Sequence, residues 1–405
     1  MGKVTNSERS LVVVIAGCRW ENIRGTDHRL AIALSAEHDV LWVDPVVPRF
    51  GPAEVERPVG VGNHFVDQVA QGISRLRVLA PPGPSRILVR SFCNRLLFGA
   101  LSRVLREGGN APVAILSMSP NARLPRNLPG KRILHVTDDW VAGADMMGLS
   151  GSFIRRNLMA NLRTADAVTA VTPQLAAQLM EMHPTARVGT LPNGCQVVDD
   201  AGRGRHRACK PIIALLGQLN ERLDLDLLES LAASGVGIRV IGPRRERDPA
   251  VKAGLDRFLN HDNVDWHGEV PASEVPELLT DVSAGITPYL VNEFNGASFP
   301  LKTLEYLAAG LPVVSTDSSA ARWLDSELIR IGRTREEFIG HVRQLISEGV
   351  SYSVRAQNQE FARGHTWAAR AASIRALFAD GAEAGEPDDP GQKSSQKEDK
   401  WSIRT

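Results

Sequence analysis

Short apolar runs alternate with amphipathic stretches along most of the 405 residues. In the first half, residues 11–16, 40–43, 76–80, 113–117, 132–136, 167–171 and 188–191 read as strands. Helical spacing covers 27–36, 86–107, 151–164 and 173–182 between them. Runs such as LVVVIAG do not alternate, as expected of parallel strands covered on both faces. The polar, glycine-bearing stretch 191–211 then interrupts the rhythm. It resumes with IIALLG (212–217), a helix over 223–233, IRVIG (238–242), a helix from Asp248 and VDWHG (264–268). A helix over 273–280 and VSAGITP (282–288) follow, then a short helix opened by Pro300 and closed by Gly310, then PVVST (312–316). Strands alternating with helices predict an α/β protein with doubly wound parallel sheets. The pause divides it into a first domain over 1–195, a linker over 196–210 and a second domain over 211–351. Residues 352–380 carry one long helical pattern, and 381–405 have the composition of a disordered tail.

Length is sufficient for two domains, each with its own core. The apolar content of 43% and charged content of 23% are those of a soluble globular protein. A net charge of +1 gives no reason to expect nucleic acid as a partner. The charge is unevenly spread: residues 1–200 hold 22 Lys/Arg against 17 Asp/Glu, and the remainder reverses the sign. A mildly basic first half suits an anionic partner or lipid surface. The four cysteines lack metal-ligand spacing, so a reducing cytoplasm is the expected compartment and no metal is expected. No apolar run reaches the roughly 18 residues of a spanning helix. The helix over 85–109, edged by Arg86, Arg90, Arg95, Arg103 and Arg106, reads in two ways. It rests on an anionic membrane, at the inner face of the plasma membrane, or it packs as an ordinary surface helix.

Open α/β sheets bind ligands at the carboxyl ends of their strands. Gly217 and Gly242 end two such strands, and the Asn/Gly/Ser-rich segment 287–298, with Asn295 and Ser298, leads into a helix N-terminus. That terminus is an anion site in waiting. Lys302 sits in its first turn, where the macrodipole disfavours a cation by ~0.3–1 kcal/mol. Glu305 follows on the same face. A nucleotide diphosphate fits both, its phosphates on Lys302 and its ribose on Glu305; the alternative is a simple Lys302–Glu305 pair on a solvated face. In HVTDDW, a strand delivers Asp138 and Asp139, one a candidate general base and either a candidate turn cap. The loop 17–28 offers Arg19, Trp20, Arg24 and His28 for a sugar or phosphate, with Asp27 as helix cap in the plainer reading. Neither a P-loop nor a dinucleotide-binding G-x-G-x-x-G is present.

SFPLKTLEYLAAGLPVVST resembles the nucleotide-sugar-binding segment of GT-B glycosyltransferases of group 1, in the family-four-like, teichuronic-acid-type bacterial polysaccharide lineages. WENIRGTDHRLAIALSAEHDVLWVDP, HVTDDW, ADAVTAVTPQLAAQL with LPNG, and FARGHTWAARAASIRALF are similar to further parts, so the resemblance spans nearly the whole chain. It implies two Rossmann-like domains facing a cleft and a C-terminal helix crossing back onto the first domain. The acceptor, a glycan or lipid-linked hydroxyl, would lie at Arg19, Trp20, Arg24 and His28. The nucleotide-sugar donor would lie at Gly217, Arg222, Gly242, Asn295, Ser298, Lys302 and Glu305. Asp138 or Asp139 would be the base, with Lys302 meeting the diphosphate and no cofactor beyond the donor. The usual Gly-Arg-Leu with a following lysine reads Gly217-Gln218-Leu219 and Leu223 here, with Arg222 as substitute. The usual first glutamate is Ala297. These departures point to dependence on the Pro-x-Lys segment and leave the stereochemistry open. They also keep a non-catalytic partner protein, or a sugar-nucleotide epimerase, as alternatives.

Overall fold

The computed structural model describes residues 9–22, 25–49, 62–81, 87–145, 148–197, 209–271 and 273–378. Most of the expected linker and all of the expected tail lie outside the described residues.

The first sheet contains β1 (Leu11–Ile15), β2 (Asp39–Val43), β3 (Val47–Pro48), β4 (His64–Ala70), β5 (Ile73–Ala80), β6 (Pro112–Ser117), β7 (Lys131–Val136), β8 (Ala167–Ala170) and β9 (Val188–Thr190). Their order is β3-β5-β2-β1-β6-β7-β8-β9, with β4 antiparallel on β5. The second sheet contains β10 (Ile212–Leu216), β11 (Gly237–Ile241), β12 (Val264–Trp266), β13 (Ala284–Thr287), β14 (Val313–Thr316) and β15 (Ile329–Gly332). It is parallel in the order β12-β11-β10-β13-β14-β15. The unalternating runs are the central strands, as burial on both faces requires: Val12, Val13 and Val14 are fully buried. Strand order reverses beside β1 and beside β10, which opens a crevice at their carboxyl ends.

β3, β4, β15 and a helix over Glu293–Ala297 go beyond the sequence reading. β4 is only half buried and turns into β5 through Gln71-Gly72, a weak hairpin signal. The single helix expected over 352–380 is two, Tyr352–Arg363 and Trp367–Ala376. The periodicity runs through, but Thr366 leaves the helix to cap the second one, accepting from the Ala369 N–H at 3.3 Å. Its neighbours pair with Cys195: Cys195 N–H donates to His365 O and Trp367 N–H to Cys195 O. The first of these helices packs on helix Leu301–Ala308 of the second domain, and the second on helix Thr26–Leu34 of the first. The crossing back is therefore made by a jointed pair.

Helix Ile87–Gly108 packs on β5, burying Cys93, Leu97, Leu101 and Val104 while Arg95, Arg103 and Arg106 face outward. Arg86 and the Arg90 side chain lie outside the described residues. No helix among the described residues is long and apolar enough to cross a membrane.

Candidate active site

A cleft of about 1220 Å³ opens where the carboxyl ends of both sheets meet. Its floor on the second domain is built from Gly217 and Gly242, which follow β10 and β11. Both have positive φ, +132° and +146°, and a Cβ on Gly242 would overlap the Gly217 carbonyl oxygen. Only glycine fits there, and the bare backbone is left open to the cleft. Helix Leu301–Ala308 stands over this floor. Its buried Tyr306 fixes it: the hydroxyl donates to Ala214 O at 2.9 Å and accepts from Leu216 N–H at 2.6 Å, both on β10. Pro300 begins the helix, so Lys302 lies in its first turn and lines the cleft beside Gly217.

Lys302 and Glu305 do pair, at 2.6 Å; Lys302 lines the cleft, while Glu305 lies behind it, mostly buried, and not on a solvated face. Glu305 also receives Arg29 of the first domain at 3.0 Å. Its carboxylate thus ties a second-domain cation to a first-domain one. Arg222 lines the cleft with its Nε held by Asn295 Oδ1 at 2.9 Å, and its guanidinium lies about 5 Å from the Tyr289 and Phe294 rings. Asn295, itself buried, spends its amide on Arg222 O and Leu290 O. It positions Arg222 from behind. Ser298 is likewise buried and donates to Asp138 Oδ1 at 2.7 Å across the domain boundary.

The two adjacent aspartates part company. Asp138 lines the cleft, and burial raises its pKa against the lowering effects of Arg222 and the Ser298 hydrogen bond. Asp139 turns away and caps the next turn, accepting from Val141 N–H at 3.1 Å and Ala142 N–H at 2.9 Å. A third carboxylate joins Asp138. Asp27 is not the helix cap, a place taken by Gly25; it reaches back to accept from Gly17 N–H at 2.7 Å. Burial pushes its pKa up to about 6, helped by the charge of Asp138. Nothing in a single sequence separates such an aspartate from a cap, because both sit in the first turn.

Residues 210–348 match the model of the family "Glycosyl transferases group 1". The chain is 24% identical to TuaH of Bacillus subtilis, which carries the provisional name of a teichuronic acid biosynthesis glycosyltransferase, over 89% of this chain and 95% of that one. Among solved structures, sucrose-phosphate synthase from Thermosynechococcus elongatus superposes with a TM-score of 0.67, at 15% identity over 91% of this chain and 98% of that one. Anabaena HepE, solved with UDP and glucose, superposes with a TM-score of 0.61 at 12% identity, over 91% and 99%. The fold is that of GT-B glycosyltransferases, and the chain is a glycosyltransferase whose residues 210–348 match group 1.

The first-domain loop of this glycosyltransferase corrects the expected acceptor set. His28 is fully buried and its Nε2–H donates to Trp20 O at 2.9 Å. Trp20, His28 and Trp42 stack on one another with ring centroids 4.7–5.1 Å apart. Aromatic area buried this way is worth more to the core than a polar tip is to a cleft. Neither they nor Arg19 line the cleft, and Arg24 lies outside the described residues. The cleft wall on this side is instead Glu21, Asn22, Thr26, Asp27 and Arg29. Among the described residues, no three His, Cys, Asp or Glu side chains gather as a metal site.

Proposed function

We propose that this glycosyltransferase takes its sugar from a nucleotide diphosphate sugar and passes it to a hydroxyl of a glycan or lipid-linked acceptor in cell-surface polysaccharide synthesis. The observation that carries the reading is Lys302: a cation in the first turn of a helix, lining the cleft over bare glycine backbone. Backbone N–H groups and an ammonium together suit pyrophosphate oxygens. The leaving diphosphate gains negative charge in the transition state, and fixed cations meet it without reorganisation. Arg222 is the second cation on that wall. Asp138 is the base for the acceptor hydroxyl, held by Ser298 and lying across the cleft from Lys302. Lys302 and Arg222 supply positive charge at the diphosphate, so transfer is expected to survive EDTA. The provisional name of TuaH supports a surface-polysaccharide acceptor, and the UDP in HepE makes a uridine diphosphate sugar the first donor to try.

The test is a thermal-shift screen against UDP, GDP, dTDP and CDP sugars, since a ligand bound only to the folded state raises the melting temperature. One of them should stabilise the protein, and Lys302→Ala should abolish that shift. Equal shifts in both proteins would remove Lys302 from the donor site.

A further inference from the structure

We propose that a second pocket, walled by Arg95, Arg123 and Arg126 on the first domain, is a binding site for a phosphate-bearing group. Its volume is about 500 Å³, and it shares no lining residue with the donor cleft. Helix Ile87–Gly108, the segment between β6 and β7, and the end of helix Gly151–Leu162 form its walls. Three arginines line it and, among the described residues, no Asp or Glu does. Several other arginines of this chain find acids: Arg75 pairs with Asp67, Arg132 with Asp166, Arg239 with Asp281 and Arg244 with Glu246. Among the described residues no ion pair engages Arg95, Arg123 or Arg126. Like charges gathered without a counter-charge repel, and a bound anion relieves that repulsion.

The pocket is built rather than frayed. Two buried asparagines on helix Gly151–Leu162 pin the intervening segment in place. Asn157 donates to Pro120 O and Ala122 O, and Asn161 donates to Ala122 O while accepting from Leu124 N–H at 2.9 Å. Arg123 is oriented by its Nε on Asn157 Oδ1 at 3.3 Å, and Arg126 by its Nε on Thr164 Oγ1 at 3.4 Å. Both bonds use the Nε and leave the terminal nitrogens for a ligand. Three forks suit the several oxygens of a phosphate better than the two of a carboxylate. Phe98, Leu124 and Leu128 in the same wall offer apolar surface to whatever carries that phosphate. The carrier is a soluble phosphorylated saccharide or a phospholipid headgroup, and the proposal is independent of how the donor cleft works.

The experiment compares wild type, the triple variant Arg95→Gln/Arg123→Gln/Arg126→Gln, and a control, Arg103→Gln/Arg106→Gln, on the same helix but outside the pocket lining. Each is melted with rising glycerol 3-phosphate and floated with phosphatidylcholine vesicles containing phosphatidylglycerol. A thermal shift retained in the control and lost in the triple variant assigns a soluble phosphate. Flotation retained in the control and lost in the triple variant, without that shift, assigns the headgroup. A wild type that answers neither probe, or variants that lose the response equally, overturns the site. If the triple variant does not fold, Arg126→Gln alone serves, since it removes only one long exposed hydrogen bond.

Discussion

At residue scale the site turns on a choice between two residues that look alike in the chain. Asp138 and Asp139 are neighbours with the same chemistry, yet one faces the cleft and the other holds a turn. Asp138→Asn should lower kcat by about 10²–10⁴, the range for a lost general base. Asp139→Ala should leave kcat within a few-fold and cost about 1 kcal/mol in denaturant unfolding, as a lost cap does. Comparable losses of kcat in both would reassign the base. Asp27 offers a second check through pH. Its folded pKa, about 6, lies above the ordinary 3.8. A carboxyl shifted upward binds its proton better folded than unfolded, so its contribution is fully present below about 3.8 and is lost as pH rises through about 6. At pH 7.5 the buried charge is a net burden. Asp27→Asn should therefore be more stable than wild type by about 1–3 kcal/mol at pH 7.5, with the advantage gone near pH 4. Urea melts at the two pH values decide it; the same advantage at both would show that ionisation is not the cause.

At the scale of elements, the helix Leu301–Ala308 and the paired glycines work as one device. Tyr306 docks the helix on β10, and this sets Lys302 above Gly217 and Gly242. Gly242→Ala must push the Gly217 carbonyl aside from a positive φ that alanine resists. The variant should lose several degrees of melting temperature and most donor binding by calorimetry, although no side chain of the site is removed. Retained binding would mean that the floor is softer than its contacts imply. The short helix was legible because Pro300 and Gly310 bracket an amphipathic stretch. The joint at 364–366 was not, because helical periodicity continues through it and only Cys195, distant in sequence, draws the backbone out.

At the scale of the whole molecule, the two domains share an apolar cluster, with Leu175 and Leu179 of the first and Ala297 and Leu304 of the second among its members, and polar contacts flank it. Asn193 donates to Phe299 O at 2.9 Å, Thr172 to Ala297 O at 3.0 Å and Ser298 to Asp138, while Arg29 pairs with Glu305. Closure around a donor would exclude water from the transfer. Arg29 is the one partner in this set that holds Glu305 from the opposite domain. Arg29→Ala should enlarge the radius of gyration in small-angle scattering and lower kcat/KM several-fold without changing the melting temperature of the separate cores. Unaltered scattering would place the closing contact elsewhere.

The doubly wound class, the short helix between Pro300 and Gly310 and the first-turn place of Lys302 all followed from local pattern, since apolar runs, turn residues and helix brackets act over a few neighbours. The facing of the side chains did not. That His28 and Trp20 enter a core against Trp42, that Asp27 reaches back to Gly17, and that Glu305 bridges Lys302 to Arg29 depend on residues up to 276 positions apart. Burial and pairing at that range are settled when the two sheets come together, because only the assembled packing decides which polar group is shielded from water and which charge it meets there.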